Sequence, residues 1–127
     1  MYENEYDMDV SDISISGIDA ELGSDFYGGE MDLYIDALRS YVRHTPAALD
    51  KLRVVTGDSL REYETNVHGL KGASGGIGAE EVRKAAADLE SKAKSGDFTD
   101  LPSMNEELIR KAETLVSDIS VWLEKLM

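Results

Sequence analysis

The sequence predicts an all-α protein, and more specifically an antiparallel four-helix bundle with a short N-terminal helix. Among its 127 residues, proline occurs only at Pro46 and Pro102, and no segment shows the alternating apolar pattern of strands. Apolar residues make up 42% of the chain, which is enough for one core and hence one domain. They recur every three or four residues in segments joined by short loops, so several amphipathic helices must bury one another's stripes.

The chain divides into a leader and a helical domain. Residues 1–17 are acidic and rich in serine, which predicts a flexible leader or the end of a linker. Residues 18–127 are assigned to the bundle. Its first element is a short helix within residues 18–27, where Asp19 and Glu21 suit the positive N-terminal end and two glycines follow.

Two helices are predicted next, separated by a proline. The first covers residues 30–43. A new helix is predicted to begin directly after it, with Thr45 as its N-cap and Pro46 as its first helical residue. The second helix runs to about Val55. The apolar stripe of the first helix consists of Met31, Tyr34, Ile35, Leu38, Tyr41 and Val42.

The third helix opens at Asp58 or Ser59, where the sequence of residues 59–62 matches a capping box. It ends near Gly75 and Gly76, which are interpreted mainly as a C-cap. Its apolar stripe, spaced by three and four residues, consists of Leu60, Tyr63, Val67, Leu70, Ser74 and Ile77.

Two more helices complete the bundle. The fourth opens at Ala79 and stops before Gly96, with a stripe formed by Val82, Ala85, Ala86, Leu89 and Ala93. The last covers residues 103–125 and opens on a second capping box, at 103–106, just after Pro102. Its stripe consists of Leu108, Ala112, Leu115, Ile119, Trp122 and Leu126.

His68 lies in the most informative part of the chain. Five glycines follow it within residues 69–78, and Lys71 comes one helical turn later. At about 100° per residue, His68 points about 140° away from the centre of the third helix's stripe, so the imidazole is expected to face water. The residues expected to form a surface for a partner beside it are Arg61, Glu64, Gly69, Gly72 and Gly75.

These residue types suit group transfer. A neutral imidazole attacks a phosphoryl or acyl group without an activating base, and Lys71 is placed to stabilise the anion that forms. Gly69 and Gly72 together cost the helix about 2 kcal/mol relative to alanine. Something must therefore require the missing side chains, either tight packing between helices or a partner that docks closely.

Other interpretations of the same residues stay open. His68 can be an inert surface histidine, and Lys71 a solvated charge that pairs with Glu64. His44 is interpreted as a structural residue at the end of the first main helix, where the helix dipole favours it. The sequence contains no P-loop, no dinucleotide fingerprint and no Glu-x-x-His pair for a di-iron site.

Charge and composition exclude several classes. The net charge of −13, from 26 acidic and 13 basic residues, disfavours nucleic acid and anionic membranes as partners. Neither a run of eighteen apolar residues nor the pattern of a signal peptide is present. The absence of cysteine removes thiolate chemistry and fits a reducing cytoplasm, so we expect a cytoplasmic location.

Residues 68–79, which read HGLKGASGGIGA, resemble the hallmark of histidine-containing phosphotransfer (Hpt) domains. The resemblance covers about residues 18–97 well and the last helix by pattern only. It implies that His68 is the phosphoacceptor on Nε2, that Lys71 stabilises the phosphoryl group and that Gly72 lets a receiver domain dock. Shorter matches flank this motif: Gly28-Gly29, Leu33-Tyr34, Leu38-Arg39-Ser40-Tyr41, Ala86, Leu89, Glu90 and Lys94-Ser95-Gly96-Asp97.

The resemblance also implies a function and partners. Such a protein carries a phosphoryl group between receiver-domain aspartates in a multistep two-component phosphorelay, so its partners are a response-regulator receiver domain and a hybrid sensor kinase. It is a phosphocarrier without an ATP site, cofactor or metal of its own, because the Mg²⁺ belongs to the receiver. We expect a monomer. The alternatives are a helical docking module that is not phosphorylated and the N-terminal phosphoacceptor domain of a chemotaxis-type kinase.

Overall fold

The computed structural model describes residues 8–126, which contain helices and turns but no strand. A short helix α1 is followed by four longer ones, which confirms the predicted fold class. Two 3₁₀ turns lie at Val10–Asp12 and Gly57–Ser59. The bounds of the helices are α1 Ala20–Asp25, α2 Met31–Leu52, α3 Leu60–Gly75, α4 Glu80–Lys94 and α5 Leu101–Glu124.

The four long helices pack in a ring in which each contacts the next and α5 closes on α2. The Tyr34 hydroxyl, near the start of α2, donates to the Ile77 carbonyl just beyond the end of α3 at 2.7 Å. The Asn105 amide, in the first turns of α5, donates to the Leu52 carbonyl at the end of α2 at 2.7 Å. Neighbouring helices in both pairs therefore run antiparallel.

The core is formed by the stripes that the spacing predicts. On α3, Tyr63, Val67, Leu70 and Ser74 are all buried, and Ile77 follows beyond the helix end. Buried polar groups find partners inside the bundle: the Tyr41 hydroxyl lies 2.9 Å from Ser74 Oγ. The Tyr63 hydroxyl donates to Asn105 Oδ1 at 2.7 Å. The opposite face of α3 is left to solvent.

Helix α2 is a single helix, and the predicted restart at Thr45 and Pro46 is wrong. Pro46 lies inside the helix. A proline costs a helix interior about 3 kcal/mol. The buried positions keep helical spacing on both sides of it, and burying this continuous stripe outweighs that cost. They are Tyr34, Ile35, Leu38, Tyr41, Thr45, Leu49 and Leu52.

His44 consequently lies in the middle of a helix and not at its end. Its Nδ1 lies 2.9 Å from the Ser40 carbonyl oxygen, which can only accept, so Nδ1 carries the proton. The helix dipole invoked for it does not apply at this position, because that effect is confined to the terminal turns.

The predicted leader differs from the structure at residues 8–17. Met8, Ile13 and Ile15 are 5%, 7% and 8% exposed and belong to the hydrophobic core. Ile13 and Ile15 are two positions apart in an extended segment, which places both side chains on one side of the chain. A flexible leader therefore does not describe these ten residues, and residues 1–7 lie outside the described part of the chain.

Both predicted capping boxes are replaced by other contacts. Ser59 precedes α3 but makes no capping bond to it, because its hydroxyl bonds Thr56 in the preceding 3₁₀ turn. Helix α5 begins at Leu101, two residues before Ser103, with Pro102 in its first turn. The Ser103 hydroxyl donates instead to the Asp100 carbonyl at 3.0 Å.

The turn after α3 depends on Gly78 rather than on the glycine pair at 75 and 76. Gly78 has a φ of 81°, and the amides of Gly78 and Ala79 bond the carbonyls of Gly75 and Ser74 in the pattern of a Schellman motif. A Cβ atom on Gly78 would lie 2.2 Å from the Asp19 carbonyl oxygen. The start of α1 therefore packs directly on the backbone of this turn.

Candidate functional site

His68 lies on the solvent side of α3, as its spacing predicts. Its side chain is 65% exposed. Its neighbours Val67 and Leu70 are 0% and 2% exposed, and they hold the helix on the core. The imidazole is thus fixed at its base by a buried helix and open to an approaching molecule.

Glu90, which reaches His68 from α4, was not assigned to the site from the sequence. Its Oε2 lies 2.5 Å from His68 Nδ1 and its Oε1 lies 2.5 Å from Lys71 Nζ. The Glu90 side chain is only 17% exposed, whereas that of Lys71 is 31% exposed. One carboxylate therefore joins the two residues that the sequence singled out, and the predicted alternative pairing of Lys71 with Glu64 gives way to this one.

The Glu90 carboxyl group is held in its charged form. The hydrogen bond from Lys71 is the main reason that its pKa is lowered, burial opposes the shift, and the hydrogen bond from His68 adds to it. A carboxylate can only accept, so the proton on the neutral imidazole resides on Nδ1. The lone pair of Nε2 is then available as a nucleophile.

The sequence carried only a weak signal for Glu90. It directly follows the buried Leu89 and lies four residues after the buried Ala86, which places it at the edge of the core face of α4. An acid at such an edge is half-buried and needs a partner. Its partner cannot be read from α4 alone, because it depends on how α4 is aligned against α3.

Gly69 and Gly72 open onto free space. A Cβ atom on either would meet nothing within 4 Å, and both residues are exposed. Of the two explanations that the sequence left open for these glycines, tight helix packing is therefore wrong. The bare backbone of α3 is available to a molecule outside the bundle.

Gly75 differs from these two glycines. A Cβ atom there would lie 3.1 Å from Arg83 Cδ on α4. The Arg83 guanidinium is anchored to both oxygens of Glu80, at 2.7 and 3.1 Å. Gly75 is thus partly covered by an arginine stem.

The exposed glycines form the floor of a groove of about 710 Å³ between α2 and α3. Leu33, which is 49% exposed, lines the groove from α2, and so does His44. The α3 side of the groove is formed by Gly69, Gly72 and Ala73 of the helix and by Gly76 directly after its end. The two remaining predicted surface residues precede His68 on α3, with Arg61 exposed and Glu64 half-buried.

Residues 8–126 also show what they offer to metal ions and membranes. No group of three or more His, Asp or Glu side chains in this part of the chain is arranged to hold a metal ion. None of the helices formed there is both long and apolar enough to cross a membrane.

An exposed imidazole with a free Nε2, a neighbouring cation and a bare helix surface is typical of proteins that carry a group on histidine. The family model described as the Hpt domain matches residues 31–119, and the chain belongs to this family. Hpt domains serve histidine phosphotransfer in two-component signalling, act as phosphocarriers rather than enzymes, and interact with receiver domains and kinases. Neither the search of curated proteins nor the search of solved structures returned a match.

Proposed function

We propose that His68 accepts a phosphoryl group on Nε2 from a receiver-domain aspartate and donates it to another, in a multistep two-component phosphorelay. The observation that supports this most is the contact of His68 Nδ1 with Glu90, which in the neutral ring places the proton on Nδ1 and leaves the Nε2 lone pair free on an exposed side chain. The bond that forms joins Nε2 to phosphorus, and the bond that breaks joins phosphorus to the oxygen of the donor aspartate.

Lys71 is the cation of this site. Its ammonium lies on the same carboxylate as the imidazole, so a rotation about its side-chain bonds carries it from Glu90 to a phosphoryl group on His68. Its role in the proposal is to stabilise the anion on the loaded histidine. The Mg²⁺ that the transfer requires belongs to the receiver, as the family implies.

The partner surface is the bare side of α3 next to His68. Gly69 and Gly72 leave room for a receiver domain to bring its aspartate to Nε2, and the groove beside them offers apolar surface. Arg61 and Glu64 are proposed to contact the partner at the other end of the same face. We propose a response-regulator receiver domain and a hybrid sensor kinase as partners, and a monomeric carrier in the cytoplasm.

Transfer from a labelled receiver tests the proposal. His68→Gln is expected to abolish labelling and leave the fold intact, because an exposed helix position contributes little to stability. His44→Gln is the matched control, since His44 is the other histidine and is also exposed. The label is expected to be lost in acid and retained in mild alkali. Label that persists on the His68→Gln protein would show that the acceptor is another residue.

The same experiment decides against the runner-up functions. A docking module that is not phosphorylated would bind the receiver without taking up label. The third candidate, a phosphoacceptor domain of a chemotaxis-type kinase, would take its label from an ATP-dependent kinase domain rather than from a phosphorylated receiver.

A further inference from the structure

The contact between Glu90 and His68 bears on the loaded state of the carrier as well as on the empty one. We infer that Glu90 keeps the proton on Nδ1 after Nε2 has been phosphorylated, and so maintains the phosphohistidine in the form that releases its phosphoryl group. This inference rests on the proposed function, since it takes His68 as the residue that carries the phosphoryl group.

The chemistry of the ring gives the proton its importance. When the Nε2 lone pair forms the bond to phosphorus and Nδ1 keeps its proton, the ring becomes a cation. When the next carboxylate attacks phosphorus, the N–P bond breaks, its electron pair returns to Nε2, and the ring leaves as neutral imidazole. If Nδ1 has lost its proton, the ring must leave as an anion, which is a far poorer leaving group.

The geometry places the acceptor for that proton. Glu90 Oε2 lies 2.5 Å from Nδ1, and the Glu90 side chain is 17% exposed while the imidazole is 65% exposed, so only the Glu90 side of this contact is shielded from water. In the unloaded protein Lys71 on the other oxygen keeps Glu90 ionised. When Lys71 turns to the phosphoryl group, the cationic ring beside Glu90 takes over this role, because an adjacent positive charge favours the carboxylate. A cationic ring beside a carboxylate is favoured over a neutral ring by their mutual attraction.

Charged residues also lie on the helices that carry the ring or pack against its helix. Among the residues that the structure describes, Glu90 is the acid hydrogen-bonded to it. Helical spacing places Arg61, Glu64 and Lys71 of α3 nearby, and Arg83 and Lys94 on Glu90's side of α4. The groove on the far side of α3 receives Asp36, His44 and Lys51 from α2. Two of the cations are themselves paired, Arg83 with Glu80 and Lys71 with Glu90. The effect on the ring proton is assigned to Glu90 because its carboxylate contacts Nδ1 directly.

The sign of the pH dependence follows. Hydrolysis of the phosphohistidine is fast while Nδ1 is protonated. It slows as the pH rises through the midpoint at which half of the phosphorylated rings have lost the Nδ1 proton. Glu90 favours the protonated form, so it raises that midpoint. Without its charge the midpoint falls, by about one pH unit for a single opposite charge at this range. Above both midpoints the variant is then expected to lose its label up to about tenfold more slowly.

The experiment loads the protein from a phosphorylated receiver, removes the receiver and follows the acid-labile label between about pH 5 and 9. The variants are Glu90→Gln, which keeps the shape and removes the charge, and Glu90→Ala, which also removes the acceptor. Asp88→Asn is the control, because it removes one exposed acid from the same helix two residues away. The first-order rate constant does not depend on the fraction loaded, so poor docking of a variant does not affect it.

We expect the rates of all four proteins to converge at the acid end, and both Glu90 variants to be slower at the alkaline end while Asp88→Asn follows the unmodified protein. Superimposed profiles, or Glu90 variants that lose label faster at alkaline pH, would overturn the inference. If the proposed function itself were wrong, the unmodified protein would take up no label on His68. That result is distinct from any difference between the decay profiles of loaded proteins. For a variant that the receiver does not load, phosphoramidate, a small phosphoryl donor, is used in the His44→Gln background, so that His68 is the histidine that takes up label.

Discussion

At the scale of single residues, the site consists of a carboxylate shared by two cationic or proton-donating groups. Glu90 holds Lys71 on one oxygen and His68 on the other, each at 2.5 Å. The exposure of His68 was predictable from α3 alone, because it follows from the period of the helix. The role of Glu90 was not, because it depends on the alignment of α4 against α3, which no local pattern encodes.

Lys71→Ala is expected to shorten the lifetime of the phosphohistidine, or to slow its formation, without blocking transfer. A hydrogen bond to a charged group contributes about 1.5–3 kcal/mol, which corresponds to about ten- to a hundredfold in rate. The measurement is single-turnover transfer from a phosphorylated receiver, together with the decay of the label after the receiver is removed.

The control for this variant is Lys84→Ala, which removes an exposed lysine from α4 outside the contact with Glu90. It is expected to behave as the unmodified protein does. Equal transfer and decay for Lys71→Ala and Lys84→Ala would mean that Lys71 acts only as a surface charge.

At the scale of elements, α3 has two faces that the sequence separated correctly. Its stripe is buried and its glycine-rich face is open, because the period of a helix is a local property. The ends of the helices were harder to predict, since a serine or proline near an end has several possible partners. Ser59 bonds the preceding turn and Pro46 lies within α2, because tertiary burial outweighs local preference.

Two glycines at one end of α3 are expected to respond in opposite directions to the same substitution. Gly72→Ala fills open space and is expected to raise the free energy of unfolding by up to about 1 kcal/mol, from helix propensity. Gly78→Ala is expected to lower it by about 2 kcal/mol or more, since Gly78 has a positive φ and its Cβ would meet the Asp19 carbonyl. Thermal and denaturant unfolding measure both.

A larger side chain at the same position tests the docking role. Gly72→Gln is expected to fold as well as Gly72→Ala and to lose affinity for the receiver through steric conflict. Titration calorimetry with the receiver compares the two. A clear fall in melting temperature for Gly72→Ala, or full receiver affinity in Gly72→Gln, would contradict the assignment of this face to a partner.

At the scale of the whole molecule, residues 8–17, which precede α1, belong to the folded body. The composition of residues 1–17 predicts flexibility because acids and serines dominate it, although the sequence also suggests that Ile13 and Ile15 cover a little apolar surface. Composition averages over a window, whereas burial depends on single side chains. Ile13 and Ile15 are buried in the hydrophobic core, and Gly17, at the end of the segment, lies against Leu115 of α5.

Ile15→Ala is accordingly expected to destabilise the protein by about 2 kcal/mol, as a truncation of a buried aliphatic side chain does. Ser14→Ala, at an exposed neighbouring position, is the control and is expected to leave stability unchanged. Chemical denaturation measures both variants. Identical unfolding midpoints for the two would restore the interpretation of this segment as a flexible leader.

The buried Asn105 side chain has a consequence for how the bundle chooses its arrangement. It accepts from the Tyr63 hydroxyl at 2.7 Å and donates to the Leu52 carbonyl at 2.7 Å, so one amide joins the starts of α3 and α5 to the end of α2. Aliphatic stripes alone tolerate sliding of one helix along another, and they also fit a bundle wound in the opposite sense. In such arrangements the amide would be buried without partners, at a cost of about 1–3 kcal/mol for each unsatisfied group. Asn105 therefore favours the single arrangement in which α2, α3 and α5 meet at this amide.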